Sequence, residues 1–202
     1  EIGPALLGSV IADFACQYPD LEISCVTNLS GLESLRDDLD LAIIITRGQM
    51  DDSDYIARHL VTIPCTIVAA PSVIQRYGTP SHIRQFEELP CITTVSALKG
   101  APWQFVTMKG GFETIKVNGH YRVNSGEMAG RAAVSGVGFA ILSKQACQPY
   151  ISDGRLIEVE FEQSVAPLQL FALYSDRRYL PAKTRAFIDF IQQKLSTISC
   201  ET

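Results

Sequence analysis

The segment 123–142 carries the residues with the clearest potential for binding a ligand. Asn124 is a favourable helix N-cap, and Glu127, three residues later, is the expected capping-box partner. A helix that begins so abruptly presents backbone amides and the positive end of its dipole, which attract carboxylates and phosphates. Gly136 is well placed as a left-handed C-cap, and Gly138 lets the following strand pack close to the helix. The segment is equally compatible with a ligand-cradling unit and with an ordinary αβ unit.

The residues that usually bind metals or act as nucleophiles are scattered along the chain. The histidines share no helical spacing with a cysteine or a carboxylate cluster, which predicts surface histidines; they are His59, His82 and His120. No Cys-x-x-Cys pair occurs among the cysteines at positions 16, 25, 65, 91, 147 and 200, which predicts reduced, mostly core thiols. We therefore expect no metal, no cofactor and no Cys-His, Ser-His-Asp or paired-carboxylate catalytic group.

The composition is typical of a globular protein with one domain or two small ones. Of 202 residues, 47% are hydrophobic and 19% are charged. The formal net charge is −5, and lysines and arginines are not clustered, so the chain offers no basic surface for nucleic-acid phosphates. The longest apolar runs, 41–45 and 134–142, are too short to cross a bilayer, and the first residues do not resemble a secretory signal. We expect neither a membrane contact nor nucleic-acid binding by this chain.

The elements that position these residues alternate between helix and strand from the start. Leu6, Val10 and Phe14 recur at four-residue spacing and predict a first helix with one buried face. Residues 21–26 alternate between apolar and polar like a strand, and a Ser-x-x-Glu capping box predicts a short helix over 30–38. This order indicates an α/β fold.

The apolar run 41–45 is continuous, which is typical of a central parallel strand covered on both faces. A polar loop follows at the carboxyl end of this strand, where open α/β sheets bind ligands. Arg47 in that loop is either an anion-binding residue or a solvated arginine. Two further strand-like runs cover 55–60 and 62–70.

From Pro71 onward the pattern becomes short and broken. Small helices are predicted over 72–77 and 83–89, a strand over 91–95, and antiparallel strands over 103–107, 112–117 and 121–123, joined by Gly110-Gly111 and Asn118-Gly119 turns. Later, Ser143 caps a helix, strands are predicted over 155–161 and 168–174, and Pro181 begins the last helix. The pattern predicts two lobes, 1–70 with 175–202 and 71–174, with two crossings and a ligand in the cleft between the lobes.

The chain resembles the effector-binding domain of LysR-type transcriptional regulators, through several short motifs in a fixed order. They are Phe14-Ala-Cys-Gln-Tyr-Pro19, Asp40-Leu-Ala-Ile43, Ile56-Ala-Arg-His-Leu60, Ala69-Ala-Pro71, Tyr77-Gly-Thr-Pro80, Val123-Asn-Ser125, Ala132-Ala-Val-Ser-Gly-Val-Gly138, Gly154-Arg-Leu156 and Leu180-Pro-Ala-Lys-Thr-Arg-Ala-Phe-Ile188. The resemblance covers nearly the whole chain. It implies a two-lobe α/β fold similar to type II periplasmic binding proteins, with mixed sheets and flanking helices, and a bacterial, cytoplasmic protein.

The resemblance also implies which positions face the effector in the cleft between the lobes. They are Gly3, Pro4, Asn28, Leu29, Ser30, Thr46 and Arg47, with Ser96, Asn124 and Ser125 from the middle lobe. Most of these residues are uncharged donors and acceptors, which suits an effector bound through hydroxyl, amide and backbone hydrogen bonds. Relatives often carry an arginine directly after the strand, where this chain has Ile44 and Ile45. This departure leaves carboxylate binding by Arg47 in doubt and makes an amphipathic pocket an alternative.

The resemblance further implies assembly and partners. A winged helix-turn-helix that would bind DNA is expected upstream of this chain, and the first strand of the domain is expected to be missing or truncated. We expect a homodimer of this fragment and a homotetramer of the full-length protein, and RNA polymerase is open as a further partner. The apolar stripe of the first helix fits a dimer contact and an intrachain core equally well.

Two other function classes share the same scaffold. A solute-binding protein of a transporter would be exported, which six unpaired cysteines fit poorly. An enzyme on the bilobal scaffold would need a convergent catalytic group, which the sequence does not show. The sequence therefore favours a non-catalytic sensing domain, and it identifies neither the effector nor the regulated promoter.

Overall fold

The chain folds into two units, each assembled from discontinuous segments. In the computed structural model, residues 6–27, 39–48, 55–94, 103–175 and 180–200 are described, apart from the side chains of 175 and 197–200. The first unit comprises 1–45, 51–62 and 169–202, and the second comprises 46–50 and 63–168. The predicted helix over 30–38 and the loop after Gly48 lie outside the described residues.

The described elements are helices and strands in a mixed order along the chain. In order they are α1 (Gly8–Gln17), β1 (Ala42–Arg47), β2 (Tyr55–Ile63), β3 (Cys65–Ala69), α2 (Pro71–Tyr77), a 3₁₀ helix (Ile83–Glu87), β4 (Ile92–Thr94), β5 (Gln104–Val106), β6 (Phe112–Thr114), β7 (Tyr121–Val123), α3 (Gly126–Val134), β8 (Ala140–Ser143), α4 (Lys144–Ser152), β9 (Ile157–Val159), β10 (Leu168–Ser175) and α5 (Ala182–Cys200). No helix in these ranges is long and apolar enough to cross a membrane.

The core of the first unit forms where α1 packs against α5. Val10 and Phe14 are 3% and 2% exposed. The Phe14 ring meets the rings of Phe187 and Phe190 edge-on, with ring centroids 4.9 and 5.2 Å apart. Of the two interpretations of the apolar stripe on the first helix, the intrachain core is therefore the one that accounts for Phe14.

The sheet of the first unit differs from the prediction in two places. β10 lies between β1 and β2, and residues 42–46 of β1 are half-buried, so within the described residues β1 is not a central strand covered on both faces. The strand predicted over 21–26 is also wrong, because residues 22–27 have no regular structure and Val26 is 72% exposed. Alternation alone does not make a strand when no neighbouring chain hydrogen-bonds to it.

The second unit is built around β3, which is buried along its whole length. β8 and β9 flank β3 and both run antiparallel to it. Pro64 separates β2 from β3, so the break between these strands comes at residue 64 and not at residue 61 as predicted. Proline has no backbone N–H to donate, which explains why the ladder is interrupted there.

The hairpin predictions had different outcomes in the second unit. β5 and β6 are antiparallel, and Gly110 adopts a positive φ of 78° in the turn between them, as predicted. The hairpin predicted at Asn118-Gly119 is wrong, because β7 pairs with β4 in parallel. The backbone at Gly119 lies against Thr93, so the glycine allows a close approach to β4 instead of closing a hairpin.

Two glycines shape the connection from α3 to β8. Gly136 follows the helix with a φ of 79°, and the amides of Gly136 and Val137 donate to the carbonyls of Ala133 and Ala132. The predicted C-cap is therefore confirmed. Gly138 was expected to allow close packing of the strand on the helix. The close neighbour is instead Pro90, because a Cβ on residue 138 would collide with the backbone carbonyl of Pro90.

Candidate functional site

The polar edge of the second unit forms where two parallel strands end together. β4 and β7 pair in parallel, with Ile92 opposite Tyr121 and Thr94 opposite Val123. The carboxyl ends of neighbouring parallel strands are the usual ligand-binding edge of an α/β sheet. Asn124 and Ser125 follow β7 directly and lead into α3. We call this edge, formed by Thr94, Asn124, Ser125 and the first turn of α3, the β4–β7 edge.

Ser125, and not Asn124, caps α3. The Ser125 side chain accepts a hydrogen bond from the Met128 amide at 3.4 Å, and the Ser125 carbonyl accepts from Ala129. Ser125 is 8% exposed, whereas Asn124 is exposed. The predicted cap is therefore displaced by one residue, because Ser125 has the extended φ and ψ of −133° and 132° that precede a helix.

Glu127 does not complete a capping box. Its carboxylate accepts from the Arg131 guanidinium at 2.8 Å, one turn further along α3. This hydrogen bond is the main cause of the raised pKa of Arg131. Glu127 remains a negative charge in the first turn, next to the helix amides, and so it opposes the attraction of a free anion to this end of the dipole.

The β4–β7 edge is amphipathic. Asn124 contributes an exposed polar side chain, and Met128, in the first turn of α3, keeps 47% of its surface exposed. Sequence reasoning did not identify Met128, although its position four residues after Asn124 places it on the same helix end. An exposed thioether beside an amide suits a ligand with both an apolar and a hydrogen-bonding part.

Thr46 and Arg47 lie elsewhere in the second unit, against the segment 164–167. Arg47 is only 7% exposed, and its Nη1 donates to the Ala166 carbonyl at 2.6 Å. The Gly48 amide donates to the Pro167 carbonyl at 3.3 Å. The Arg47 guanidinium is thus bound to the chain itself, and its predicted role as an anion clamp is not tested by this geometry.

In the part of the chain that the structure describes, four buried side-chain atoms make no hydrogen bond. They are Thr46 Oγ1, Arg47 Nε, Thr93 Oγ1 and Gln104 Oε1. Unsatisfied buried polar atoms are uncommon in folded proteins and often mark a position for water or a ligand. Thr93 and Gln104 were not predicted as site residues, because an isolated threonine or glutamine carries no spacing signal.

Six of the predicted effector-facing residues lie outside the described residues: Gly3, Pro4, Asn28, Leu29, Ser30 and Ser96. The other four fall into two groups within the second unit. Asn124 and Ser125 are at the β4–β7 edge, and Thr46 and Arg47 are beside 164–167. The two groups therefore lie at different places in the second unit.

The thiols in the described ranges differ in their burial. Cys65, Cys91 and Cys147 are buried and free, whereas Cys16 and Cys25 are exposed and free. Burial raises the pKa of Cys147 to about 11 and raises the pKa of Cys91 as well, which disfavours the nucleophilic thiolate. The described residues contain no group of three or more His, Cys, Asp or Glu side chains that could hold a metal.

The sequence matches one protein family over almost its whole length. The LysR substrate binding domain covers residues 1–196. HTH-type transcriptional regulator CrgA of Neisseria meningitidis serogroup B is 26% identical over 196 residues, which are 96% of this chain and 64% of CrgA. HTH-type transcriptional activator TtdR of Escherichia coli K12 is 27% identical over 203 residues, which are 96% of this chain and 63% of TtdR. The chain thus spans less than two thirds of the length of these relatives.

Solved structures show the same similarity. The CrgA regulatory domain from Neisseria meningitidis aligns with a TM-score of 0.72 and 25% identity, over 96% of this chain and 94% of that domain. The regulatory domain of AphB from Vibrio vulnificus aligns with a TM-score of 0.74, over 95% of this chain and 94% of that chain. At 22% identity, the AphB alignment supports the fold alone.

Proposed function

This chain belongs to the LysR substrate-binding domain family, and from that premise we propose that it senses a small molecule on behalf of a DNA-binding transcriptional regulator. The neighbours confirm the predicted fold class, the two-lobe fold similar to type II periplasmic binding proteins. The observation that carries the proposal is the family match over residues 1–196. The curated relatives are named as transcriptional regulators and not as transporters or enzymes, so neither alternative is favoured.

The proposed effector contact in the second unit is the β4–β7 edge. Asn124 offers an exposed amide, Ser125 starts the helix, and Met128 adds apolar surface. Because Glu127 keeps a carboxylate in the first turn, we favour an uncharged or amphipathic effector over a simple dianion. Thr46, whose hydroxyl makes no hydrogen bond, is retained as a second contact. Arg47 is not, since its guanidinium already binds Ala166.

The remaining parts of the proposal follow from the family. We propose that the first and second units correspond to lobes I and II, that the domain forms a homodimer, and that the full-length protein is cytoplasmic and tetrameric. DNA binding would come from a helix-turn-helix segment in the part of the relatives that this chain does not span. The proposed function is therefore differential affinity for an effector in two states, without turnover.

A thermal-shift screen tests effector binding directly. The chain is heated with a panel of small carboxylic acids, amino acids and aromatic metabolites, and a ligand that binds only the folded state raises the midpoint. The gain is about 2.7 kcal/mol at a hundredfold excess over Kd. Any hit is repeated on Asn124→Ala, with Asn118→Ala as the matched control on an exposed loop. The proposed site requires that the shift shrinks in the first variant only.

Two outcomes would count against the proposal. If no compound in the panel shifts the midpoint of a chain that unfolds cooperatively, effector sensing by this domain is not supported. If a hit shifts both asparagine variants equally, a sensor remains but the β4–β7 edge is not its site. DNA binding is tested separately, by a mobility-shift assay on the full-length protein with the DNA that flanks its own gene.

A further inference from the structure

The chain enters the second unit through the segment 46–48 and leaves it through the segment 164–168, which we call the entering and the departing segment. The buried side chain of Arg47 joins these two segments. Two of the four boundaries between the units fall between residues 45 and 46 and between residues 168 and 169. Arg47 Nη1 donates to the carbonyl of Ala166, and the Gly48 amide donates to the carbonyl of Pro167. Two residues that are 119 positions apart are thus joined at the edge of the unit.

The departing segment is also held from its other side. The Ala166 amide donates to the Gln104 carbonyl, and the Val106 amide donates to the Ser164 carbonyl, both at 2.8 Å. These bonds make an antiparallel bridge between Phe105 and Val165. Arg47 therefore contacts, from a different element, an extended segment that these bonds already hold to β5.

The burial of Arg47 indicates that this contact is specific. Moving a guanidinium out of water carries a large penalty unless hydrogen bonds replace the lost hydration. Arg47 is 7% exposed and its Nε makes no hydrogen bond, so the bond to Ala166 is a principal compensation within the described residues. A charge-assisted hydrogen bond to a carbonyl is stronger than a neutral one.

Gly48 shows that the approach of the two segments is close. It adopts a φ of 69°, and a Cβ at this position would collide with the side chain of Gln104. The positive φ favours a glycine at this position. The backbone of the entering segment thus lies against the side chain of Gln104 in β5.

From these contacts we infer that Arg47 is a positioning residue, which ties the entering segment to the departing segment so that both behave as one rigid element of the second unit. It acts through the Ala166 carbonyl and not by binding the effector. The inference does not depend on the identity of an effector or on the β4–β7 edge.

Hydrogen exchange of individual amides tests this inference on the whole chain. Arg47→Met removes the donor while keeping an unbranched side chain of similar length. We expect exchange at Gly48, Val106 and Ala166 to become about tenfold faster, the factor that corresponds to loss of one charge-assisted hydrogen bond. The amides of Ile92, Phe139 and Leu156, which are hydrogen-bonded elsewhere in the same unit, should keep their rates.

Arg122→Met is the matched control, because Arg122 also donates from its guanidinium to a backbone carbonyl of this unit, that of Gly119. It should leave Gly48, Val106 and Ala166 unchanged. The inference is overturned if Arg47→Met leaves these three amides at the native rates, if it accelerates all six amides equally, or if Arg122→Met has the same effect. Should Arg47→Met not fold, Arg47→Gln, whose neutral amide ends two bonds short of the position of Nη1 and so removes this donor, is judged by the same criteria.

Discussion

The ring of Phe14 meets the ring of Phe187 edge to face, with centroids 4.9 Å apart. The two residues belong to the first and the last described helices, α1 and α5. Edge-to-face aromatic pairs add to the stability gained from apolar burial alone. The first unit therefore depends on a contact between the two ends of the sequence.

Replacement of Phe14 by alanine should destabilise the first unit by about 3–5 kcal/mol, the usual cost of truncating a buried phenylalanine. The ring is 2% exposed and also contacts Phe190, so a cavity would remain. Urea denaturation followed by circular dichroism measures the loss. Phe112→Ala, whose residue is 37% exposed, is the control and should cost much less. Equal costs for the two variants would contradict the proposed core.

Replacement of Ser125 by alanine should lower the free energy of unfolding by about 1 kcal/mol, because α3 loses its N-cap. Ser125→Asp keeps an acceptor for the Met128 amide and should recover most of the loss. Both are measured by the urea midpoint at constant m-value. A capping box at Glu127 would make Glu127→Ala as costly as Ser125→Ala, because alanine removes the side-chain acceptor. The observed exposed pairing of Glu127 with Arg131 predicts a loss of only about 0.5 kcal/mol.

The sequence predicted best those features that depend on neighbouring residues. Gly136 was identified as a left-handed C-cap, and Ser143 as the cap of the next helix, because each satisfies backbone groups within a few positions. At Asn124 and Ser125 both residues are good caps. The choice between them depends on which backbone is extended, and this the sequence does not encode locally.

Features that depend on distant partners were predicted less well. The pairing of β7 with β4 joins segments about thirty residues apart, and the Asn118-Gly119 turn signal pointed to the wrong neighbour. The contact of Arg47 with Ala166 spans 119 positions, so its burial could not be anticipated. Of the residues at the β4–β7 edge, Asn124 and Ser125 were assigned to the effector site by family resemblance, and their role in effector binding stays a prediction.

Gly138→Ala should disrupt the junction between β4 and β8. A Cβ at Gly138 would collide with the Pro90 carbonyl, which also accepts the Phe139 amide at 2.9 Å. Because the obstacle is backbone, it cannot rotate away, and we expect a loss of about 2 kcal/mol or more. Gly8→Ala is the control, since nothing lies within 4 Å of its added Cβ and alanine favours a helix. A thermal midpoint for Gly138→Ala at or above that of Gly8→Ala would exclude the close approach.

The buried Cys147 thiol should make the second unit sensitive to alkaline pH. Burial raises the pKa of Cys147 from 9.0 to about 11, with a further contribution from Glu158. Because the pKa of Cys147 is raised in the folded state, this thiol makes its full contribution to the free energy of unfolding below pH 9, where it is protonated in both states. Above pH 9 the unfolded chain loses the proton first, so stability falls as the pH rises toward 11. One such group contributes a slope of at most about 1.4 kcal/mol per pH unit.

Cys147→Ala should therefore show a shallower fall in stability between pH 9 and 11, as measured by urea midpoints at each pH. Cys16→Ala, which removes an exposed thiol, should keep the wild-type slope. Comparing slopes instead of absolute stabilities separates the titration of Cys147 from the packing lost in the variant, and identical slopes in all three proteins would show that this thiol does not govern the alkaline response.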